Sequence, residues 1–454
     1  MKSKPQLGFG QPLSLTTAMY SRLGRKPYLS YDPQPAKELN MMFSVIRSKI
    51  ARATQAGSAL TLIILAALLV AIAQPGEAQT FTLLHTFNEQ DGWQPDAGLT
   101  MDRAGNLYGT TGYGGGACGE GCGTVFELER RGSNWIFSRL FVFTGANGNN
   151  PQARVIFGPD GNLYGTTTNG GAAGKGEVFR LQPPPSVCRS VDCPWTETVL
   201  YSFQGGSDGA NPTYGDLVFD RAGNLYGTTP SGGSSNCVRG CGTVYELSPS
   251  NGGWTERILY RFQGSADGAN PYAGVILDRV GNLYGTSAGG GLADCTGEYC
   301  GVIYKLTLSE SGWTESVLYS FTGGSDGSFP MGGLISDQAG NLYGVTYGGG
   351  VVYKMTSSGD SWTWSQVYNL NAYIASVGIL AMDATGNLYG TTVIGDPEVF
   401  KLTPSNGGWT LTGFSGAAGD SPYGNVIVDT NGTVYGTASA GGSDNAGVVF
   451  EITP

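Results

Sequence analysis

The sequence predicts an all-β fold, a seven-bladed β-propeller with four antiparallel strands per blade, on three observations. The hexapeptide GNLYGT recurs with small changes at 105, 161, 223, 281, 340, 386 and 432. Other apolar segments keep a fixed order around each copy. Past residue 80, Gly-rich turns separate short β-branched and aromatic segments, and no apolar pattern of helical period occurs. A long internal period marks an array of equal units rather than separate domains. Four-stranded units stacked face to face close on themselves as a propeller. An open β-solenoid, the competing architecture, needs no four-strand grouping.

The first strand of a unit is the apolar segment ahead of the hexapeptide, as in GVILDRV at 274–280. It runs into a D-x-x-G turn, in which Asp102, Asp220, Asp278, Asp337, Asp383 and Asp429 each stand three residues before the Gly. An Asp there caps backbone N–H groups and the Gly supplies a positive φ, so these carboxylates read as structural turn residues. The second unit departs from the pattern, with Gly158 in the Asp position and Asp160 beside Gly161.

The second strand is the hexapeptide itself. Successive side chains of a strand point to opposite faces, so Leu and Tyr of N-L-Y-G are both buried only if the sheet lies between two others. Tyr108, Tyr164, Tyr226, Tyr284, Tyr343, Tyr389 and Tyr435 are therefore expected to pack between sheets, and the Gly that follows each to admit a close neighbour. The hexapeptide is a joint.

GTVFEL at 123–128 and GTVYEL at 242–247 supply third strands, and the Trp-opened WTERILYRF at 254–262 and WTESVLYSF at 313–321 supply fourth ones. Glu256, Arg257 and Arg261 suit an outer edge. FTLLHTF at 81–87 matches a fourth strand and GVVFEI at 447–452 a third. The N-terminal strand is thus expected to complete the last blade. A second phase, with LYSF innermost, would need no such exchange.

Residues 1–78 are read as an N-terminal extension and signal peptide, and 79–454 as the propeller. The apolar run ALTLIILAALLVAIA at 59–73 follows Arg47, Lys49 and Arg52 and precedes small residues, so cleavage is expected after Ala73 or Ala78. A start at Met41 or Met42 would give the signal an ordinary length, and an uncleaved anchor is the competing reading. Residues 1–78 hold nine Lys/Arg against three Asp/Glu, which leaves the rest, with 16 basic and 32 acidic residues, at a formal charge of about −16. That surface repels phosphate backbones and anionic lipid, so no nucleic-acid partner and no membrane span after cleavage are expected. The mature chain is expected to be a monomer, secreted, periplasmic or on the surface of a bacterium. Its eight cysteines fall in local pairs, Cys118/Cys122, Cys188/Cys193, Cys237/Cys241 and Cys295/Cys300. An even count in an exported chain reads as disulfides, against a zinc reading that finds one histidine, His85, and no two-residue Cys spacing.

GNLYGTT with GTVFEL, W-x-x-x-x-LYSF and the D-G-x-x-P loop resembles the GloVer-type tandem repeat of "choice-of-anchor" bacterial surface and exported proteins, over nearly all of 79–454. The resemblance implies an extracellular propeller and carries over no activity and no catalytic residues. Members often bear a C-terminal anchor; this chain ends at Glu451-Ile452-Thr453-Pro454 and is not expected to be anchored that way.

The loop from the fourth strand to the next blade and the loop between the second and third strands should emerge on one face, the candidate binding surface. The first carries D-G-x-x-P at Asp91, Asp208, Asp267 and Asp326, weakens to Asn147 and Asp420, and is missing from NLNAYIASVG at 369–378. As ligands, Asp208, Asp267 and Asp326 would suit Ca²⁺, the one cofactor the loops suggest. As turns, the same residues need no ion, and the lack of a D-x-D-x-D-G spacing favours the turn. Trp93, beside Asp91, is a candidate sugar-stacking residue. Ser-His-Asp and His-metal chemistry have no support, and no catalytic residue is assigned. The expected function is non-catalytic binding of an extracellular protein or glycan. The alternative is a carbohydrate-active hydrolase or lyase using a carboxylate pair.

Overall fold

The structure, a computed structural model, describes residues 79–453 apart from 186–194, 292–299, 360, 372–373, 376–377, 395–396 and 415–420. The apolar run 59–73, Met41, Met42, Ala73, Ala78, Cys188, Cys193, Cys295 and Asp420 lie outside the described residues.

From axis to rim, blade 1 consists of Thr100–Met101, Leu107–Thr111, Thr124–Arg131 and Asn134–Val142. Blade 2 consists of Ile156–Phe157, Leu163–Thr167, Glu177–Gln182 and Thr196–Ser202. Val218–Phe219, Leu225–Thr229, Thr243–Ser250 and Gly253–Arg261 form blade 3. Ile276–Leu277, Leu283–Ser287, Val302–Ser309 and Gly312–Ser320 form blade 4. Blade 5 has Ile335–Ser336, Leu342–Val345, Val351–Ser358 and Ser361–Asn369. Blade 6 has Ala381–Met382, Leu388–Ile394, Val399–Ser405 and Gly408–Phe414, with a short extra strand, Ile374–Ala375, on the end of its second. That extra strand stands in the loop without D-G-x-x-P and was not legible in the sequence.

Blade 7 closes the ring. Ile427–Val428, Val434–Ala438 and Val448–Thr453 are joined by the N-terminal Thr80–Thr86, which pairs antiparallel with Val448–Thr453. The GVILD segments are innermost and the Trp-opened segments outermost, so the first of the two phases is the one adopted.

Burial explains the strand patterns. All five residues of Leu107–Thr111 are buried because both faces of the blade are covered, whereas the edge strand Gly253–Arg261 alternates between exposed and partly buried residues. Seven apolar clusters fill the joints between neighbouring blades, among them Phe87, Leu99, Leu107, Phe126 and Tyr435 between blades 7 and 1. Seven joints for seven blades means no blade face is left unpartnered. Aromatic rings meet edge to face in several of them: Tyr108 lies 5.1 Å from Phe157, Tyr164 4.9 Å from Phe219, and Phe262 5.1 Å from Tyr304.

The hexapeptide's Gly is required by its cross-strand partner. Gly109 pairs with Phe126 and Gly227 with Tyr245, and a Cβ on Gly109 would stand 2.5 Å from Phe126 Cζ. The close neighbour is thus a ring of the same blade. The Thr that follows reaches the next blade: Thr228 Oγ1 donates to the Ala273 carbonyl at 2.8 Å and Thr286 Oγ1 to Gly332 at 3.0 Å.

The turn carboxylates serve the chain beside them. Asp383 accepts from Thr385 N, Asn387 N, the Asn387 amide and the Tyr389 hydroxyl, at 2.9, 3.0, 2.7 and 3.0 Å. Burial alone would raise its pKa, but these donors bring it down to about 2. Asp102, Asp220, Asp278 and Asp337 accept from the corresponding groups and Asp429 from Asn431 N and Thr433 N, while Asp160 accepts from Asn162 and the Tyr164 hydroxyl. Disulfides join Cys118 to Cys122 and Cys237 to Cys241, and Cys300 is also disulfide-bonded.

Candidate functional site

With strands antiparallel from axis to rim, the loop leaving each fourth strand and the loop between second and third strands emerge at one end. Backbone bridges tie them together, Asn149 to Asn169, Ala210 to Ser231 and Ala269 to Gly289. In three of these loops the Asn before the Pro is the fastener. Asn150, Asn211 and Asn270 take φ of 60°, 57° and 54°, a left-handed conformation that Asn tolerates better than most residues. Their side-chain amides donate to the carbonyls of Gly112, Thr168 and Pro230 at 3.1, 3.0 and 2.7 Å. The following Pro151, Pro212 and Pro271 press on Gly123, Gly176 and Gly242, where a Cβ would come within 2.6, 2.9 and 2.5 Å of the ring.

The D-G-x-x-P aspartates clasp their own loops. Asp208 accepts from Gln204 N at 2.8 Å and the Tyr201 hydroxyl at 3.1 Å. Asp267 accepts from Gln263 N at 2.7 Å and Tyr260 at 3.0 Å, and Asp326 from Thr322 N at 2.8 Å and Tyr319 at 3.0 Å. Asp91 accepts from Asn88 N at 2.8 Å and lies 3.2 Å from His85 Nε2, whose ring stacks on Phe137. Each clasp belongs to a different joint. Among the described residues no group of three or more His, Cys, Asp and Glu is placed to hold a metal ion.

A different set converges at the axis. Asp96, Gln152, Arg154, Tyr214, Asp216, Tyr423 and Asn425 line one mouth. Arg154 and Asp216 also line an axial cavity of about 300 Å³ among the first strands, so the pair stands at the neck between the two. Arg154 Nη2 lies 2.8 Å from Asp216 Oδ2, and Arg154 N donates to Asp216 Oδ1 at 3.1 Å. Asn425 Nδ2 reaches Asp216 Oδ2 at 3.4 Å. The neck is narrow because neighbouring chains touch there: a Cβ on Gly274 would stand 2.0 Å from the Asp216 carbonyl oxygen.

Asp96 accepts from Ser439 Oγ at 2.6 Å and from Gln152 Nε2 at 3.4 Å. Burial pushes its carboxyl up to about 6, against the pull of these two donors. Tyr214 is raised well above the usual phenol range, chiefly by burial and then by Asp96, Tyr423, Tyr272 and Tyr347, all three of these tyrosines being half-buried like Tyr214 itself. Tyr113 feels Asp96 as well, and it carries Trp93, to which it is bridged through the backbone with ring centroids 5.7 Å apart. Of the residues singled out from the sequence, Trp93 packs on Tyr113, the tyrosine that feels Asp96, while Asp208, Asp267 and Asp326 sit in separate rim clasps. The mouth residues were missed because they vary. Asp96, Gln152, Tyr272 and Tyr423 all follow the loop proline directly, where Thr213 and Met331 stand in two other blades, and variation beside a constant motif was the available signal.

Closed ring, fastened loops and a polar, tyrosine-rich axial mouth define a seven-bladed β-propeller with its candidate site on the loop face. Two stretches, 71–193 and 192–351, match the Gloeobacter/Verrucomicrobia repeat, and the chain belongs to that family. No curated protein sequence matches it. Among solved structures it is similar to virginiamycin B lyase from Staphylococcus aureus, at 15% identity and a TM-score of 0.51, covering 83% of this chain and 99% of that one. It is also similar to a chain of a mitotic checkpoint complex, at 11% identity and a TM-score of 0.50, covering 82% and 90%. A putative 6-phosphogluconolactonase from Bacteroides fragilis matches at 16% identity and a TM-score of 0.48, over 78% and 90%. At these identities the likeness is one of fold alone.

Proposed function

We propose that this protein is an exported, non-catalytic propeller that binds an extracellular glycan or protein through its loop face, with the ligand seated over the axial mouth. The observation that carries this reading is the half-buried Tyr214, which shares the mouth with Asp96 and Tyr423 and feels Tyr272 and Tyr347, together with the Trp93–Tyr113 pair, whose tyrosine also feels Asp96. Aromatic faces with a few fixed hydrogen-bonding groups are what a sugar ring or a peptide side chain requires. The Pro-Gly and Asn fasteners hold the loops before any ligand arrives, which lowers the entropy lost on binding. Disulfides at Cys118–Cys122 and Cys237–Cys241 support an oxidising, extracytoplasmic location.

A glycan and polysaccharide pull-down with the purified chain, in calcium and in EDTA, tests it, with reducing-end release assayed on every hit. Binding without release is expected, reduced in Tyr214→Ala and Trp93→Ala. Binding unchanged in both variants would place the ligand elsewhere.

One observation favours the catalytic alternative, a hydrolase or lyase. Asp96, held near 6 by burial, and Asp216, ion-paired with Arg154, line the same mouth in different environments, as an acid and its partner carboxylate must. Product release that Asp96→Asn and Asp216→Asn each abolish would put this alternative first.

A further inference from the structure

One slot at the rim of the joints is apolar in four blades and acidic in three consecutive ones. In the ladder between third and fourth strands, Phe137 faces Leu128, Trp364 faces Met355, Leu411 faces Leu402 and Phe81 faces Ile452, in blades 1, 5, 6 and 7. At the same register in blades 2, 3 and 4 stand Glu197, Glu256 and Glu315, facing Leu181, Leu247 and Leu306. The glutamates are half-buried, and Oε1 of each is buried with no hydrogen-bond partner among the described residues.

Each lies against the clasp of the preceding blade. Glu197 accepts from Asn147 Nδ2 at 3.1 Å and has Glu177 nearby. Glu256 faces Asp208 and Tyr201 of blade 2, and Tyr245 and Arg261 of its own blade. Glu315 faces Asp267 and Tyr260 of blade 3, and Tyr304 of its own. Asp208 Oδ1 is also buried with no hydrogen-bond partner among the described residues, so the joint between blades 2 and 3 sets two incompletely satisfied carboxyls against each other. Burial first, and then the neighbouring carboxylate, holds Glu256 and Glu315 at about 7, and burial holds Glu197 there against the pull of Asn147, with a smaller push from Glu177.

We infer that Glu197, Glu256 and Glu315 form a proton-operated clasp in the rim: protonated, they fill the slot as the apolar residues of the other blades do, and ionised, they loosen blades 2 to 4. A neutral carboxyl loses little by partial burial, whereas a carboxylate in the same slot lacks solvent for one oxygen and, in two joints, meets a second negative charge.

Hydrogen exchange on the full chain tests this, comparing Gly253–Arg261 and Gly312–Ser320 with the Leu411-bearing Gly408–Phe414 at pH about 5.5 and about 8, corrected for intrinsic exchange. The two glutamate strands should lose about tenfold more protection than the leucine strand as pH rises. Glu256→Leu with Glu315→Leu should remove the difference. Glu256→Gln with Glu315→Gln, which keeps the shape, serves if the leucine protein fails to fold. Equal loss in all three strands, or a difference that survives substitution, overturns the inference. So does protection restored at high pH by calcium and removed by EDTA, since the carboxyls would then be holding a cation.

Discussion

The Thr437 hydroxyl donates to the Ala97 carbonyl at 2.7 Å, joining blade 7 to blade 1 across 340 residues of sequence. Thr110 makes the same bond to Ala153, and Thr391 to Gly424, at 3.3 Å each. One position of the repeat thus latches successive blades.

Thr437→Val should lower stability by about 1 kcal/mol, the net worth of one buried neutral hydrogen bond. Valine fits, since Val345 occupies this position in blade 5. Urea denaturation of the two proteins measures the difference, and an unchanged midpoint would show the latch to be idle.

Gly227→Ala should cost more than Gly223→Ala. A Cβ on Gly227 would stand 2.4 Å from Tyr245 Oη and 2.6 Å from its Cζ, against a ring with no exposed surface, and overpacking of that kind costs about 3 kcal/mol. Gly223 has φ of 87° with nothing within 4 Å of a Cβ, which leaves only backbone strain of about 1 kcal/mol. Thermal midpoints in the opposite order would contradict this packing.

Tyr245→Phe, Tyr304→Phe and Tyr353→Phe should be neutral or stabilising by about 1 kcal/mol each. Their hydroxyls are buried with no hydrogen-bond partner among the described residues, and Phe126, Phe179, Phe400 and Phe450 fill the position elsewhere. Calorimetry of the triple variant reads the sum. A clear loss would reveal a partner for the hydroxyls.

Removing residues 79–87 should prevent folding. Phe87 has no exposed surface and packs 5.1 Å from Phe126, and the deletion uncovers the edge of Val448–Thr453. Circular dichroism with and without the added peptide checks the closure, and a folded deletion protein would refute it.

Asp96 sets a pH dependence with a definite sign. Its carboxyl, at about 6 when folded against an ordinary value of 3.8, holds a proton that the unfolded chain has released. The stability it contributes is complete below the unfolded value and is lost as pH rises through about 6. The difference in thermal midpoint between wild type and Asp96→Asn should therefore shift in favour of the variant between these limits and level off above them. A flat difference would mean that Asp96 is ionised throughout.

The strands and the ring closure were legible because their causes are local. Asp-x-x-Gly turns, Gly opposite an aromatic, and a fourth-strand pattern at 81–87 act within a blade or at a chain end. The extra strand at Ile374–Ala375 left no comparable mark, since two residues carry no periodicity. Asp208, Asp267 and Asp326 drew attention by recurring, yet each is occupied with its own loop.

By itself the sequence determined the repeat, the number of blades and the four-strand grouping, because each follows from contacts between residues close along the chain, and it left two phases open for the innermost strand. Only the tertiary structure decided that Asp96, Arg154, Tyr214 and Asn425 share a mouth and that Glu256 meets Asp208. Those meetings depend on where one blade sets the next, and a distance set by packing between blades has no period in the sequence to announce it.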